Sequence, residues 1–370
     1  MGTFKMIKEG GVLFDGCDFV VQLPEEREGS EVRILQLTDM QIIDSLQRRT
    51  PDRIRADEIQ AWLPENFDAL CGNHIRSLVA QTNPDLIIIT GDIVYGSFDD
   101  AGTTLQYICA LFDSLGVPWA PVFGNHDNEC QKGVGWQCEQ LEACHLCLFK
   151  RGEVSGNSNY TVGVAIGERL VRVLHMLDSN GCKNESEPSV IRTANLYPDQ
   201  LELVRAHTEK IREAQGADIP AFMAFHIPPD CFRHMEYEKG YRKSDEDKFV
   251  LGVDVEAKDG DFGFSLERAV YRMLPTDTTF IPFLKSQNVD GVFVGHFHNC
   301  ASSIHYEDIV WTFGLKTGQY DYHIPYQTGG TLISLFHSAF RVSCVSSLSP
   351  CGAMPKGAPI FRGFFATGEE

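Results

Sequence analysis

The stretch Leu86-Ile87-Ile88-Ile89-Thr90-Gly91-Asp92-Ile93-Val94-Tyr95 decides how the rest of the chain is read. An apolar, β-branched run that stops on Gly-Asp reads as a buried strand carrying a carboxylate to the edge of a parallel sheet. Taken alone, it also fits an ordinary strand followed by an Asx turn. Three other runs end in the same way: Ile34-Leu35-Gln36-Leu37-Thr38-Asp39, Trp119-Ala120-Pro121-Val122-Phe123-Gly124-Asn125-His126-Asp127, and Val292-Phe293-Val294-Gly295-His296-Phe297-His298. A fourth, Ala221-Phe222-Met223-Ala224-Phe225-His226, ends on a histidine. Five strand ends tipped with Asp, Asn or His imply a metal site assembled from distant parts of the chain.

Between these runs the period changes to that of helices. Residues 67–81, 103–115, 198–215 and 280–287 place apolar side chains three and four apart, and Pro198 sits where a helix begins. Strand, helix, strand, helix, strand implies right-handed crossovers and a parallel core. Residues 160–166 and 170–177 alternate around Gly167-Glu168 and predict an antiparallel hairpin, and residues 1–30 read as an edge hairpin or an extended arm. Residues 303–347 predict a second, antiparallel layer. Two insertions interrupt the rhythm. Residues 129–156 hold Cys130, Cys138, Cys144, His145 and Cys147, which fit either buried thiols or a structural zinc. Residues 230–277 are polar and rich in aromatics, and fit either a lid or a surface loop. Arg48, Arg49, Arg53 and Arg55 belong to a solvated face or reach a substrate phosphate.

The chain has 370 residues, 43% of them hydrophobic, with no linker or repeat. The expectation is one domain over residues 1–370, with a core at about 32–345. A net charge of −19 argues against nucleic acid or anionic membrane as a partner, but not against a small phosphorylated substrate, since bound cations reverse the local sign. Met1 to Gly10 hold no apolar leader and no later run approaches a membrane span. With twelve irregularly spaced cysteines, these features point to the cytoplasm.

As ligands, Asp39 and Asp92 offer anionic oxygens, Asn125 an amide oxygen, and His226, His296 and His298 imidazole nitrogens. Mixed O/N donors suit Fe, Zn or Mn. The set is too large for one tetrahedral centre and best fits two ions about 3.5–4 Å apart, bridged by one carboxylate. The two histidines of Gly295-His296-Phe297-His298 share a side by strand period, though a turn would splay them toward different ions.

Asp39-x-Gln41, Gly91-Asp92, Gly124-Asn125-His126-Asp127, His226 and Gly295-His296-Phe297-His298 resemble, in order, the signature of the calcineurin-like metallophosphoesterases. The resemblance implies a four-layer α/β-β/α sandwich and metal-dependent hydrolysis of phosphate esters. Asp92 would bridge the two ions; Asn125, His226 and His296 would complete one, and Asp39 and His298 the other. His126 would be no ligand but would bind the substrate phosphate, with Asn125 beside it, and assist the leaving oxygen while a metal-generated hydroxide attacks phosphorus. A phosphomonoesterase is favoured, with a phosphodiesterase or a catalytically silent metal-binding scaffold as alternatives. Gln41 departs from the family, which usually has a histidine there. Either Gln41 binds weakly or Tyr95 enters the coordination shell, because Gly91-Asp92-x-x-Tyr95 is similar to the motif of purple acid phosphatases, whose tyrosine binds ferric iron.

Overall fold

A computed structural model describes residues 4–43, 46, 54–56, 58–99, 101–180, 196–244, 246–267, 279–324, 327–336 and 339–346. The helical spacing is realised in α1 (Phe67–Thr82) and α2 (Thr103–Leu115), which end on Asn83 and Gly116 in the left-handed conformation that stops a helix. α3 (Gly133–Ala143) lies earlier than the helix-like spacing of Leu141, Cys144 and Leu148 suggests, and the chain turns extended at Cys144. α4 (Pro198–Gln215) opens on its proline, and α5 (Cys231–Glu238) and α6 (Phe280–Ser286) complete the set.

Strands β1 (Lys5–Lys8) and β2 (Phe19–Leu23) form the edge hairpin. β3 (Val32–Leu37), β4 (Leu86–Thr90) and β5 (Trp119–Val122) run parallel, with Leu37 beside Ile89 and Thr90 beside Val122. β6 (Tyr160–Ile166) and β7 (Arg169–Met176) make the antiparallel hairpin. After them come β8 (Ala221–Ala224), β9 (Phe249–Val250), β10 (Phe262–Ser265) and β11 (Val289–Val294). The last four are β12 (Cys300–Tyr306), β13 (Ile309–Phe313), β14 (Gly329–Phe336) and β15 (Ala339–Ser346). One sheet has the order β15-β14-β3-β4-β5 and the other β1-β2-β6-β7-β8-β11-β13-β12-β10-β9. The expectation for residues 303–347 therefore needs correcting. β12 and β13 extend the large sheet while β14 and β15 pair onto β3 in the small one, so this stretch is no separate layer. Within the 230–277 insertion, β9 and β10 build the far edge of the large sheet.

Side-chain alternation sets the layers. In β8 and the residue after it, Phe222 and Ala224 join the core against the small sheet, whereas Ala221, Met223 and Phe225 face the outer core with α4, α5 and α6. β11 divides the same way, Phe293 inward and Val292 and Val294 outward. The same apolar cluster continues past the small sheet to Ile75, Leu105, Phe112 and Leu141 of α1, α2 and α3. The four layers are thus helices, small sheet, large sheet, helices. β4 is buried along its whole length, and each of its Leu and Ile side chains contributes about 1.5–3 kcal/mol relative to exposure. That burial anchors the strand whose end carries Asp92.

Candidate metal centre

The motifs meet where the carboxyl ends of the two sheets face each other. Asp39, Asp92 and Asn125 follow β3, β4 and β5 of the small sheet, and His226, His296 and His298 follow β8 and β11 of the large one. The ends of β3 and β4 stay in register past the strands: Asp39 N–H donates to the Gly91 carbonyl at 3.1 Å and Gln41 N–H to that of Asp92 at 2.8 Å. Asp39 (φ 50°), Gln41 (φ 45°), Asp92 (φ 51°) and His296 (φ 77°) all lie in the left-handed region. Such conformations cost L-residues free energy and concentrate at functional sites. Gly124 is required where it stands, since a Cβ there would lie 2.2 Å from Asp92 Oδ1.

Four donor atoms converge. His226 Nε2 lies 3.3 Å from Asp92 Oδ1 and 3.2 Å from Asn125 Oδ1, and His296 Nδ1 is 3.0 Å from the same Asn125 oxygen. Ligands around one ion with bonds of about 2.1 Å stand roughly 3.0–3.4 Å apart, so this set fits a transition-metal ion. His226 Nδ1 donates to the Thr90 carbonyl at 2.8 Å, which turns its Nε2 into the site. On the other side, His298 Nε2 is 3.3 Å from Asp39 Oδ1, and its Nδ1 donates to the Tyr322 carbonyl at 2.9 Å. The turn after β11 does splay the pair, His296 toward Asn125 and His298 toward Asp39. Among the described residues, Asp39, Asp92 and His226 present side-chain atoms within 4.8 Å of one another.

Charges in the site hold one another. Burial alone would raise the Asp39 and Asp92 carboxyls, but His298 and His226 outweigh it for Asp39, and His226 and His126 for Asp92, so both lie well below the usual carboxylate range. Burial would lower His226, yet the Asp92 carboxylate raises it to about 9. His296 is lowered to about 3 by burial and by the neighbouring His226 charge.

His126 is partly buried beside this cluster. Its backbone N–H donates to Asp92 Oδ1 at 2.9 Å, and its ring Nδ1 meets Glu129 Oε2 at 2.8 Å. Burial opposes its charge, but Asp92 and Glu129 raise it to about 9. The role of Glu129 was not read from sequence; its spacing of three from His126, across a short 3-10 turn, is the signal. Asp127 is structural: Oδ1 accepts the N–H groups of Ile93 and Val94, and Oδ2 that of Gly124.

The two substitutes for the absent histidine fare differently. Gln41 turns its amide nitrogen to Asp92 Oδ2 at 3.2 Å and its oxygen to Lys316 Nζ at 2.6 Å, so it offers no oxygen to an ion. Tyr95 packs edge-on to the His126 ring at 5.4 Å and against Phe98 at 5.2 Å, and burial followed by nearby carboxylates raises its phenol. Of the four arginines, Arg48, Arg49 and Arg53 lie outside the described residues. Arg55 places its guanidinium 5.1 Å over the Tyr322 ring, which stacks on His298 at 4.3 Å. The Cys130–Cys147 region holds separate thiols: Cys130 donates to Asp99, Cys138 to the Asn157 carbonyl and Cys144 to that of Gln140.

The profile of the calcineurin-like phosphoesterases matches residues 32–300, most of the chain. The chain belongs to the calcineurin-like phosphoesterase family. This calcineurin-like phosphoesterase is 31% identical over 104 residues to "Probable inactive purple acid phosphatase 28" of Arabidopsis thaliana, covering 28% of this chain and 25% of that protein. It is 30% identical over 141 residues to an uncharacterized protein of Schizosaccharomyces pombe, covering 37% of this chain and 26% of the other. The matches thus span about a quarter of these relatives' length. Among solved structures, a dimetal phosphatase from Danio rerio aligns over 86% of this chain and 97% of its own, with a TM-score of 0.51 at 12% identity, which establishes the shared fold.

Proposed function

We propose that this phosphoesterase hydrolyses small phosphate monoesters in preference to diesters, at a centre of Fe, Mn or Zn. The observation that carries the reading is the convergence of Asp92, Asn125, His226 and His296 at 3.0–3.3 Å, with His126 held by the Glu129 carboxylate alongside. Bound there, such ions supply Lewis acidity toward a phosphoryl oxygen and bring water toward deprotonation near neutral pH. The chain's own residues do the rest. Glu129 orients the His126 ring and favours its protonated form, which suits a proton donor to the leaving oxygen at neutral pH. Arg55, over the Tyr322 ring that stacks on His298 and 3.5 Å from Asp321 Oδ1, is the described arginine that could turn to a substrate phosphate.

The net charge of −19 argues against nucleic acid or an anionic membrane and leaves room for a small phosphorylated substrate, since bound cations would reverse the local sign. No helix among the described residues is long and apolar enough to cross a membrane. The ten described cysteines are free thiols, which supports the cytoplasm as the compartment. A second reading, a silent metal-binding scaffold, is favoured by the loss of Gln41 as a ligand and by the name of the plant relative.

Hydrolysis of a nitrophenyl phosphate monoester and its diester, after reloading with Mn, Zn or Fe, separates these readings. We expect metal-dependent turnover that favours the monoester, is abolished by Asp92→Asn and falls about 10²–10⁴-fold in His126→Ala. No turnover with any metal in a folded protein would leave the scaffold.

A further inference from the structure

Gln41 has a partner outside the motifs. Lys316, just beyond β13, is fully buried, and its ammonium donates to the Asp39 carbonyl at 2.9 Å and to Gln41 Oε1 at 2.6 Å. Gln41 passes the contact on through Nε2 to Asp92 Oδ2 at 3.2 Å. An ammonium only donates and a carboxylate only accepts, so this chain has a single sense: amide oxygen to Lys316, amide nitrogen to Asp92. The backbone holds the lysine in place. Thr317 N–H donates to the Thr38 carbonyl at 2.9 Å, Thr38 N–H to Thr317 Oγ1 at 3.2 Å, and Gly318 N–H to the Asp39 carbonyl at 3.2 Å. A Cβ on Gly318 would lie 1.8 Å from the Met40 carbonyl oxygen, so only glycine lets the two segments approach this closely.

These contacts divide the candidate centre unequally. One side keeps four donors: Asp92, Asn125, His226 and His296. The other keeps Asp39, His298 and the shared Asp92. The place of the family histidine is taken by an amide whose oxygen already accepts from Lys316. Tyr95 packs on the His126 and Phe98 rings, its phenol raised by burial and then by Asp321, Glu58 and Glu129 ahead of Asp92. We propose that the Lys316 ammonium stands in for the second metal ion. The protein then holds one ion tightly, on the four-donor side. Burial lowers the Lys316 pKa while the Asp39, Asp321 and Asp92 carboxylates oppose that, and the charged side chain in turn gives Asp39 and Asp92 a counter-charge and repels a further divalent cation. This rests on the metal-dependent reading above and departs from the two-ion expectation drawn from the motifs.

The test counts ions. The full chain is stripped with chelator, incubated with excess Mn(II), desalted and assayed for retained manganese beside the Lys316→Met/Gln41→His double variant. The wild type should retain one ion and give the sharp six-line spin-resonance spectrum of an isolated Mn(II). The double variant should retain two and give the broadened spectrum of a coupled pair. Two ions in the wild type, or one in a folded variant, would overturn the inference. Should the variant fail to fold, the wild-type count and spectrum decide by themselves. A wild type that retains no Mn, Zn or Fe would remove the metal centre and the phosphoesterase reading with it, an outcome distinct from retaining two.

Discussion

Asp92 makes three contacts with two oxygens: Oδ1 faces His226 Nε2 and accepts the His126 N–H, and Oδ2 accepts the Gln41 amide. Its negative charge is what raises His226 to about 9. In the metal-free protein at pH 7, His226 therefore carries a proton on the nitrogen that a metal needs, and ion binding must expel it. His296, lowered to about 3, has no proton to give. Titration calorimetry of metal into the stripped protein, in buffers of different ionisation enthalpy, should report release of about one proton per ion at pH 7, fading as the pH passes 9. The sign for stability agrees. His226 is raised on folding, so its attraction to Asp92 stabilises the metal-free fold fully below pH 6.5 and is lost as the pH rises through about 9. A binding heat at pH 7 that is independent of buffer would contradict the protonated His226.

At the scale of elements, loops rather than strands set the site's geometry, and Asp127 ties two of them. Its carboxylate accepts from Ile93 and Val94 after β4 and from Gly124 after β5. Removing it leaves three buried backbone donors without this partner. Asp127→Ala should cost on the order of 3 kcal/mol in urea unfolding and weaken metal retention, although Asp127 touches no ion. Unchanged metal retention in the folded variant would show that Asp92 and Asn125 hold their places without the tie. The elements themselves were largely legible. α1, α2, α4 and α6 fall where apolar spacing put them, because each buries one stripe between recognisable stops. β12 to β15 were misassigned to one layer because alternation reveals a strand but not which sheet it joins. Lys316 went unread because a lysine after a strand ordinarily reaches solvent; its burial depends on Gly318 meeting Met40, a contact between distant segments. The glutamine at position 41 was visible as an anomaly in the motif, but its partner was not.

At the scale of the molecule, the candidate site is a seam. The small sheet supplies Asp39, Asp92 and Asn125 and the large sheet His226, His296 and His298, while the apolar core between the sheets lies behind them. An ion held as proposed, by Asp92 and Asn125 on one side and His226 and His296 on the other, would join the sheets at their carboxyl ends, where the hydrophobic contact gives way to polar loops. Binding to the folded state alone stabilises it by about 2.7 kcal/mol at a hundredfold excess over Kd. With an unfolding entropy of about 2.1 cal/mol/K per residue, that corresponds to about 3.5 °C in Tm for a chain of 370 residues. Chelation should lower the Tm by about this amount, and Asp92→Asn should remove most of the difference between loaded and stripped protein. The location of the effect is the sharper test. Hydrogen exchange should slow on metal loading at Gly91–Val94 and Gly124–His126 of the small sheet and equally at Phe225–Ile227 and Gly295–His298 of the large one. Protection confined to one sheet would mean that the ion sits within that sheet's loops and does not join the two. Protection on both, lost together in Asp92→Asn, is what a clamp across the seam requires.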